Sequence, residues 1–315
     1  MPSSPSFHLS AGLDGPGPLT AGHFTALARL AERGGLDFVT LDDSFSPGLD
    51  ALAVFARIAP ATSRIGLVPT VTTTHTEPFH TSIAVNTLDW VSEGRAGWLV
   101  DVSGTEAEAA TVGRRPLLPA EELWREAADT VEVAARLWDS WEDDAEIRDR
   151  ATGRFVDREK LHYVDFEGPY FSVKGPSITP RPPQGRPVVV VRLDHGDRGA
   201  RRELAVRQAD VVLLEAATPT GAAAVRASLR ELVSGHGRDP DQFRVLVRVG
   251  PEVRPADWLG AVDGLHLVAR QLPDDLTRFV AATDRLGRPP VSGGTLRERL
   301  GLARPASRYA VGAAR

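Results

Sequence analysis

The sequence predicts a parallel (β/α)8 barrel, and three observations support this fold class. Short apolar segments alternate with amphipathic segments along the 315-residue chain, as expected for repeated βα units. The apolar segments are rich in Val and Leu, which is typical of strands buried on both faces. A hydrophobic content of 42% at this length is sufficient for the core of one large domain.

The eight predicted strands are short apolar runs bounded by turn residues. They are Phe7–Ala11, Phe38–Leu41, Arg64–Val71, Gly97–Val102, Pro187–Leu193, Asp210–Leu214, Phe243–Val249 and Gly264–Val268. Eight parallel strands are the number that forms this barrel. A doubly wound open sheet would show the same alternation, but no Gly-x-Gly-x-x-Gly stands between the first strand and the first helix. The barrel is therefore the favoured architecture.

The predicted helices have amphipathic patterns and mostly end near Gly or Pro. They are Ala21–Arg33, Ala51–Ile58, His80–Val91, Pro119–Trp141, Arg198–Gln208, Gly221–Gly235 and Leu272–Leu286. Residues 143–186 interrupt this rhythm before strand five, because they are polar and rich in proline. We interpret them as an inserted excursion of a single domain over residues 1–315, with a flexible tail at residues 1–6.

Composition and charge exclude several classes of protein. The net charge of -5, with Lys and Arg interspersed among Asp and Glu, provides no basic surface for nucleic acid. The absence of cysteine excludes disulfides, thiolate metal sites and cysteine nucleophiles. There is no secretory signal and no run of about 20 apolar residues. We therefore expect a soluble, cytoplasmic protein that does not bind membranes, and its abundant Arg, Ala, Gly and Pro are typical of a high-GC bacterial genome.

Several segments, whose order and spacing hold from about Phe38 to Arg308, carry a resemblance to one known family. They are ATSRIGLVPT (61–70), TTTHTEPFH (72–80), TLDWVSEGRAGW (87–98), LWDSWEDD (137–144), FEGPYFSVKGP (166–176), PRPPQGRP (180–187) and TLRERLGL (295–302). Together they resemble the nitrilotriacetate and dibenzothiophene-sulfone branch of the luciferase-like flavin-dependent monooxygenases.

The resemblance implies a fold, a cofactor and partners. Members of this family are TIM barrels that use reduced FMN and dioxygen to oxidise a small organic substrate. A separate flavin reductase supplies the reduced FMN, and the chains form homodimers or heterodimers. A related barrel that uses a reduced deazaflavin is a further alternative, for which the sequence offers no positive feature.

The resemblance also places candidate ligand-binding residues at the carboxyl ends of the strands, where TIM barrels carry their reactive sites. Asp43 follows strand two, Thr72 and Thr73 close strand three, and Ser103 closes strand four. We expect these four residues to contact the flavin, although Asp43 is equally suited to capping a helix. His75 stands where relatives have Tyr and is the candidate catalytic residue. With His80 it lacks a third convergent ligand, so no metal site is predicted.

At the phosphate end of the flavin, the sequence departs from the family pattern. Trp124 replaces a Tyr, and LDHGDRG (193–199) replaces a Gly-Ser-Ser turn that cradles the phosphate. His195 and Arg198 are the candidate phosphate-binding residues here, either facing the phosphate or pairing with Asp194 and Asp197. Leu99 replaces an Asn and removes a hydrogen-bonding group from the ring site.

These departures leave two functional hypotheses. The first is a two-component monooxygenase that binds reduced FMN itself. The second is a non-catalytic or weakly flavin-binding member of the family, which acts as a partner subunit or as a small-molecule binder. Similarity to the family along the whole chain supports the first hypothesis, which we favour. The clustering of the losses at Leu99, Trp124 and residues 194–197 supports the second.

Overall fold

The computed structural model of the chain describes residues 7–45, 47–194, 196–287 and 293–310. Eight parallel strands close a barrel in which each strand pairs with two neighbours. In chain order they are β1 (His8–Gly12), β2 (Phe38–Leu41), β3 (Gly66–Thr72), β4 (Gly97–Asp101), β5 (Val188–Leu193), β6 (Val211–Leu214), β7 (Arg244–Val249) and β8 (Gly264–Leu267). The predicted (β/α)8 barrel is confirmed, and every predicted strand overlaps an observed one.

Most of the helices surround the barrel and connect successive strands, and the last two follow β8. They are α1 (Ala21–Arg33), α2 (Ala51–Ile58), α3 (Pro78–Val91), α4 (Glu106–Val112), α5 (Ala120–Asp139), α6 (Gly199–Gln208), α7 (Pro219–Gly235), α8 (Asp274–Asp284) and α9 (Leu296–Arg299). The predicted bounds of α1 and α2 are those observed. Helix α4 was not predicted, because EAEAATV carries no large apolar side chain; Thr105 and Glu108 nevertheless form a capping box at its start.

The predicted excursion before strand five lies between α5 and β5 and contains two short antiparallel hairpins. Glu146–Asp149 pairs with Arg154–Val156, and Phe166–Glu167 pairs with Ser172–Val173. Val164 and Val173 are buried against α5, so the excursion is anchored on the outside of the barrel. The predicted tail at residues 1–6 lies outside the described residues.

The barrel interior changes from apolar at its base to polar at its mouth. Phe38, Val68, Leu99, Val190 and Leu246 belong to one buried apolar cluster, and the base is closed by leucines of α9 and the residues after it. Further along the same strands, the buried or half-buried side chains are polar. They are Ser10, Thr40, Thr70, Asp101, Arg192, Arg248 and His266. Because the strands are parallel, these groups all converge at the carboxyl end of the barrel.

Candidate functional site at the barrel mouth

Arg192 of β5 connects four strands across the barrel mouth. Its guanidinium forms ion pairs with Asp42, which follows β2, and with Asp101 of β4 at 3.3 Å. It also donates to Thr70 Oγ1 of β3 at 3.4 Å, and the Thr70 hydroxyl donates to Asp42 at 3.1 Å. The backbone N–H of Asp42 donates to Asp14, beyond β1, at 2.5 Å. The mouth is therefore crossed by the chain's own charged side chains.

Burial changes the protonation of this network. It raises the pKa of Asp14 to about 6, despite the opposing influence of Arg192, and it also raises the pKa of Asp101. Burial lowers the pKa of Arg192 to about 10, although Asp14 partly offsets this. Burial lowers the pKa of His266 to about 3, so its imidazole is neutral at pH 7, and its Nδ1 lies 3.0 Å from Ser10 Oγ.

A second group of ion pairs holds the loop between β5 and α6. Asp194 contacts Arg248 of β7 at 2.8 Å and Arg201 of α6 at 2.9 Å. Arg201 also contacts Asp197 at 3.1 Å and lies over the Trp124 ring, 5.0 Å from its centroid. Burial alone would raise the pKa of Asp194, but Arg201 and Arg248 outweigh it and leave this pKa below its usual value.

The start of α6 is capped by a carboxylate from another helix. Glu121 of α5 accepts a hydrogen bond from the Ala200 backbone N–H at 3.0 Å. Gly199 has a φ of +67°, and a Cβ at this position would lie 1.6 Å from Glu121 Oε1. Arg125 lies 3.9 Å from the same carboxylate. A negative charge therefore already occupies the positive end of this helix.

His75 and Ser103 lie at the mouth with polar atoms that have no partner among the described residues. Both ring nitrogens of His75 and the hydroxyl of Ser103 are buried without a hydrogen bond. Burial lowers the pKa of His75, which favours a neutral ring, and Phe45 contacts that ring edge-on at 5.5 Å between centroids. The Ser103 backbone N–H donates to Thr74 Oγ1 at 2.9 Å, so the ends of β3 and β4 are joined here.

The other predicted ring contacts make bonds within the chain. Thr73 Oγ1 donates to the Asp101 carbonyl at 3.4 Å, and the Thr72 carbonyl accepts from the Thr76 hydroxyl at 2.6 Å. Asp43 accepts from the Ala51 N–H at the start of α2, at 2.8 Å. The N-cap residue of α2 is Asp50, whose carboxylate accepts from the Ala53 N–H, so Asp43 contacts the start of the helix without being its N-cap. The roles of these residues toward a ligand stay predictions.

The structure also locates the remaining sequence-predicted positions. Arg198 lies at the N-terminus of α6, where its guanidinium donates to the Asp197 carbonyl at 2.9 Å. His195 lies outside the described residues. Leu99 is fully buried in the apolar layer of the barrel. Asp101, two residues further along β4, is the side chain that reaches the mouth.

The two ends of an FMN molecule fit this arrangement differently. At the ring end, His75 and Ser103 have polar atoms available for a heterocycle. At the phosphate end, the Ala200 amide is already bonded to Glu121, and the Arg201 and Arg248 guanidiniums are paired with Asp194. A phosphate requires free N–H groups and cations. With the Ala200 amide, Arg201 and Arg248 engaged in this way, the start of α6 does not fit the phosphate of FMN.

The sequence interpretation missed the residues that dominate the mouth. Arg192 stands in the apolar strand VVVVRL and Arg248 in RVLVRV. A charged residue in an otherwise buried strand requires a charged partner, and this signal was available from the sequence. Glu121 gave no such signal, because acidic residues are common in the first turn of any helix.

The described residues contain neither a membrane-spanning helix nor a metal-binding cluster. Over residues 7–45, 47–194, 196–287 and 293–310, no helix is long and apolar enough to cross a membrane. Within the same residues, no group of three or more His, Asp or Glu side chains is arranged to hold a metal ion.

Comparisons with known proteins identify the relatives of this fold and site. The luciferase-like monooxygenase family model matches residues 5–257. Nitrilotriacetate monooxygenase component A of Aminobacter aminovorans is 34% identical over 246 residues, covering 71% of this chain and 54% of that protein. The solved structure of EDTA monooxygenase from Chelativorans sp. BNC1 superposes with a TM-score of 0.83 at 21% identity, covering 95% of this chain and 99% of that chain. The predicted family and branch are confirmed.

One relative matches over almost its full length. It is a subunit of pristinamycin IIA synthase from Streptomyces pristinaespiralis, 34% identical over 310 residues, covering 96% of this chain and 97% of that protein. A second, longer subunit of the same synthase is 33% identical over 245 residues, with 73% of this chain and 53% of that protein covered. The chain spans about half the length of the other curated monooxygenases that it matches.

Proposed function

Because the chain belongs to the luciferase-like monooxygenase family, we propose that it is the smaller subunit of a two-subunit, flavin-dependent monooxygenase. In this complex, a longer member of the family holds reduced FMN and oxidises a small organic substrate. The observation that carries the proposal is the phosphate end of the barrel mouth, where the Ala200 N–H and the guanidiniums of Arg201 and Arg248 are bonded to the chain's own carboxylates.

The lengths of the relatives support this assignment. The chain aligns with 97% of the shorter pristinamycin IIA synthase subunit, but with only 53% of the longer one. A chain that resembles the shorter of two homologous subunits over its whole length is best explained as the equivalent subunit of a similar pair. We therefore favour a heterodimer over a homodimer.

The flavin supply follows from the same proposal. A separate reductase delivers reduced FMN to the longer subunit, where the flavin activates dioxygen when bound. Because the longer subunit binds FMN in this proposal, the smaller subunit requires no phosphate site. His75 and Ser103 are then available to contact an organic ligand that carries no phosphate, through the unpartnered atoms at the end of β3 and β4.

Assembly provides the first test. The chain is co-expressed with a longer luciferase-like chain sought in the genome that encodes it, and the mixture is analysed by size-exclusion chromatography with light scattering. We expect the two chains to elute together with the mass of a 1:1 complex. Elution of this chain as a homodimer, separate from the longer chain, would contradict the proposal.

A further inference from the structure

We propose that Glu121 determines ligand specificity at the barrel mouth, by holding its own carboxylate where a ligand phosphate would bind to the start of α6. The inference deepens the proposed function, because it explains why this subunit leaves phosphorylated flavin to its partner. It concerns the isolated chain, so it can be tested whether or not the longer chain binds.

The first step of the argument is the position of the carboxylate. The N-terminus of a helix attracts anions, because its first N–H groups have no partner within the helix. Helix α6 has no acidic residue in its own first turn, and its N-cap residue Arg198 makes no side-chain cap. Glu121 instead reaches this end from α5 and accepts from Ala200 N–H at 3.0 Å. One anionic group therefore already satisfies the helix end.

The second step is the close approach at Gly199. This residue has a φ of +67°, in the left-handed region that favours glycine. A methyl group built on its Cα would lie 1.6 Å from Glu121 Oε1. The absence of a side chain at Gly199 thus allows the Glu121 carboxylate to approach the start of α6 directly.

The third step is the charge around the carboxylate. Glu121, Gly199 and Ala200 line a groove of about 660 Å³ together with Arg125, Arg198 and Arg202. Glu203 also lines this groove, and its carboxylate is paired with Arg207. The Nε of Arg202 is buried without a partner among the described residues, while its Nη2 donates to Ser228 at 3.0 Å. Removal of the Glu121 charge would leave three guanidiniums and the helix end facing an open groove.

The fourth step concerns the neighbouring aspartates. Asp194 and Asp197 also bring negative charge to this loop, but Arg201 contacts both of them and Arg248 contacts Asp194. Their charges are therefore largely compensated by groups that they bind directly. Glu121 has Arg125 nearby at 3.9 Å, and it is the carboxylate that a phosphate would have to displace.

The test uses inorganic phosphate as the probe and isothermal titration calorimetry as the measurement. We expect Glu121→Ala to bind phosphate at least about tenfold more tightly than the wild type. Phosphate should raise the thermal midpoint of Glu121→Ala and leave that of the wild type unchanged. The gain should disappear in the double variant Glu121→Ala with Arg202→Ala. Glu122→Ala, which removes the adjacent charge in the same turn of α5, is the matched control and should behave like the wild type.

Two further arms make the result decisive. Glu121→Gln keeps an acceptor for the Ala200 N–H, so it preserves the helix cap and can be tested even if Glu121→Ala fails to fold. We expect a smaller gain in phosphate affinity from Glu121→Gln than from Glu121→Ala. FMN should gain affinity for the Glu121 variants, whereas riboflavin, which has no phosphate, should not. Equal phosphate affinity of the wild type and every folded Glu121 variant, or an equal gain for riboflavin, would overturn the inference. Failure to assemble with the longer chain would instead contradict the proposed function alone.

Discussion

At the scale of single residues, the charges around Arg192 determine the protonation state of the carboxylates at the barrel mouth. Asp42 and Asp101 pair with its guanidinium directly, and Asp14 interacts with it electrostatically. Three carboxylates thus interact with the Arg192 guanidinium, in a region that is partly shielded from water. Because an uncompensated buried carboxylate favours its neutral form, burial raises the pKa of Asp14 to about 6.

The raised pKa of Asp14 predicts a specific dependence of stability on pH. The folded chain retains a proton on Asp14 up to a pH of about 6, whereas the unfolded chain releases it near the ordinary value of 3.8. The free energy of unfolding therefore falls as the pH rises between these two values. Asp14→Asn removes this loss and still accepts from the Asp42 N–H. It should raise the free energy of unfolding at pH 7 by about 1–3 kcal/mol.

Urea denaturation of both proteins between pH 4 and pH 7 checks this prediction. The stability gained by Asp14→Asn should shrink as the pH falls. The exposed Asp257 provides the control, since Asp257→Asn should shift stability by no more than about 0.5 kcal/mol. A stability gain for Asp14→Asn that is the same at pH 4 and pH 7 would rule out the titration of Asp14 as its source.

The Arg192 guanidinium itself is expected to stabilise the mouth. Arg192→Met keeps most of the side-chain volume but leaves Asp42 and Asp101 without their cation. We expect a loss of about 2–3 kcal/mol at pH 7, because breaking a partly buried ion-pair network leaves unpaired charge. The loss should be smaller at pH 5, because Asp14 is then protonated and burial also raises the pKa of Asp101. Chemical denaturation at the two pH values measures it.

The matched control for Arg192 is an exposed ion pair. Arg148 contacts Glu146 at 2.7 Å, with 71% of the Arg148 side chain exposed. Arg148→Met should cost less than about 1 kcal/mol, because surface ion pairs contribute little. Equal losses for the Arg148 and Arg192 variants would show that the mouth network is not a structural support.

Single residues were predicted with mixed success, for a physical reason. The sequence placed Thr72, Thr73 and Ser103 at the ends of β3 and β4, because side chains that follow buried strands converge at one end of a barrel. The ion pairs of Arg192 and Arg248 were not predicted. Partners in such pairs lie on different strands, so their identity depends on the register between strands, which a single sequence does not specify.

At the scale of elements, α9 closes the base of the barrel. Leu296 and Leu300 are fully buried in the same cluster as Val68 and Leu99, and Thr295 forms a capping box with Glu298 at the start of the helix. This short helix was not predicted, because four residues are too few to show helical periodicity. The capping motif Thr-x-x-Glu was the available signal.

The role of α9 in the core can be measured by truncating Leu300, the C-cap residue of this helix. Leu300→Ala should lower the free energy of unfolding by about 2–5 kcal/mol, since it removes buried methyl groups and leaves a cavity. Leu19→Ala is the matched control, because 65% of Leu19 is exposed and its loss should change stability by less than about 0.5 kcal/mol. A loss for Leu300→Ala as small as that of the control would show that α9 is not part of the core.

Most elements were predicted because each buries one face against the barrel. Hydrophobic periodicity is strongest in such elements, which explains the agreement for α1 and α2. The excursion between α5 and β5 was predicted as an irregular insertion, but its two hairpins were not. Strands of two to four residues are too short for alternation to distinguish them from loops.

At the scale of the whole molecule, the barrel has the fold of its relatives, and its mouth is crossed by the chain's own ion pairs. The eight strands form the same closed architecture as flavin-dependent monooxygenases. Fold similarity alone does not establish chemistry, because activity resides in the residues at the site. The carboxylates at the start of α6 and the arginine across the mouth support the proposed division of flavin binding between two homologous subunits.

Flavin stoichiometry under anaerobic conditions tests this central claim most directly. Reduced FMN is equilibrated with the isolated chain and with its complex with the longer luciferase-like chain, and bound flavin is measured after rapid gel filtration. We predict one flavin per 1:1 complex and none bound to the isolated chain. One flavin bound per isolated chain, with dioxygen-dependent oxidation of an organic substrate by this chain alone, would contradict the account.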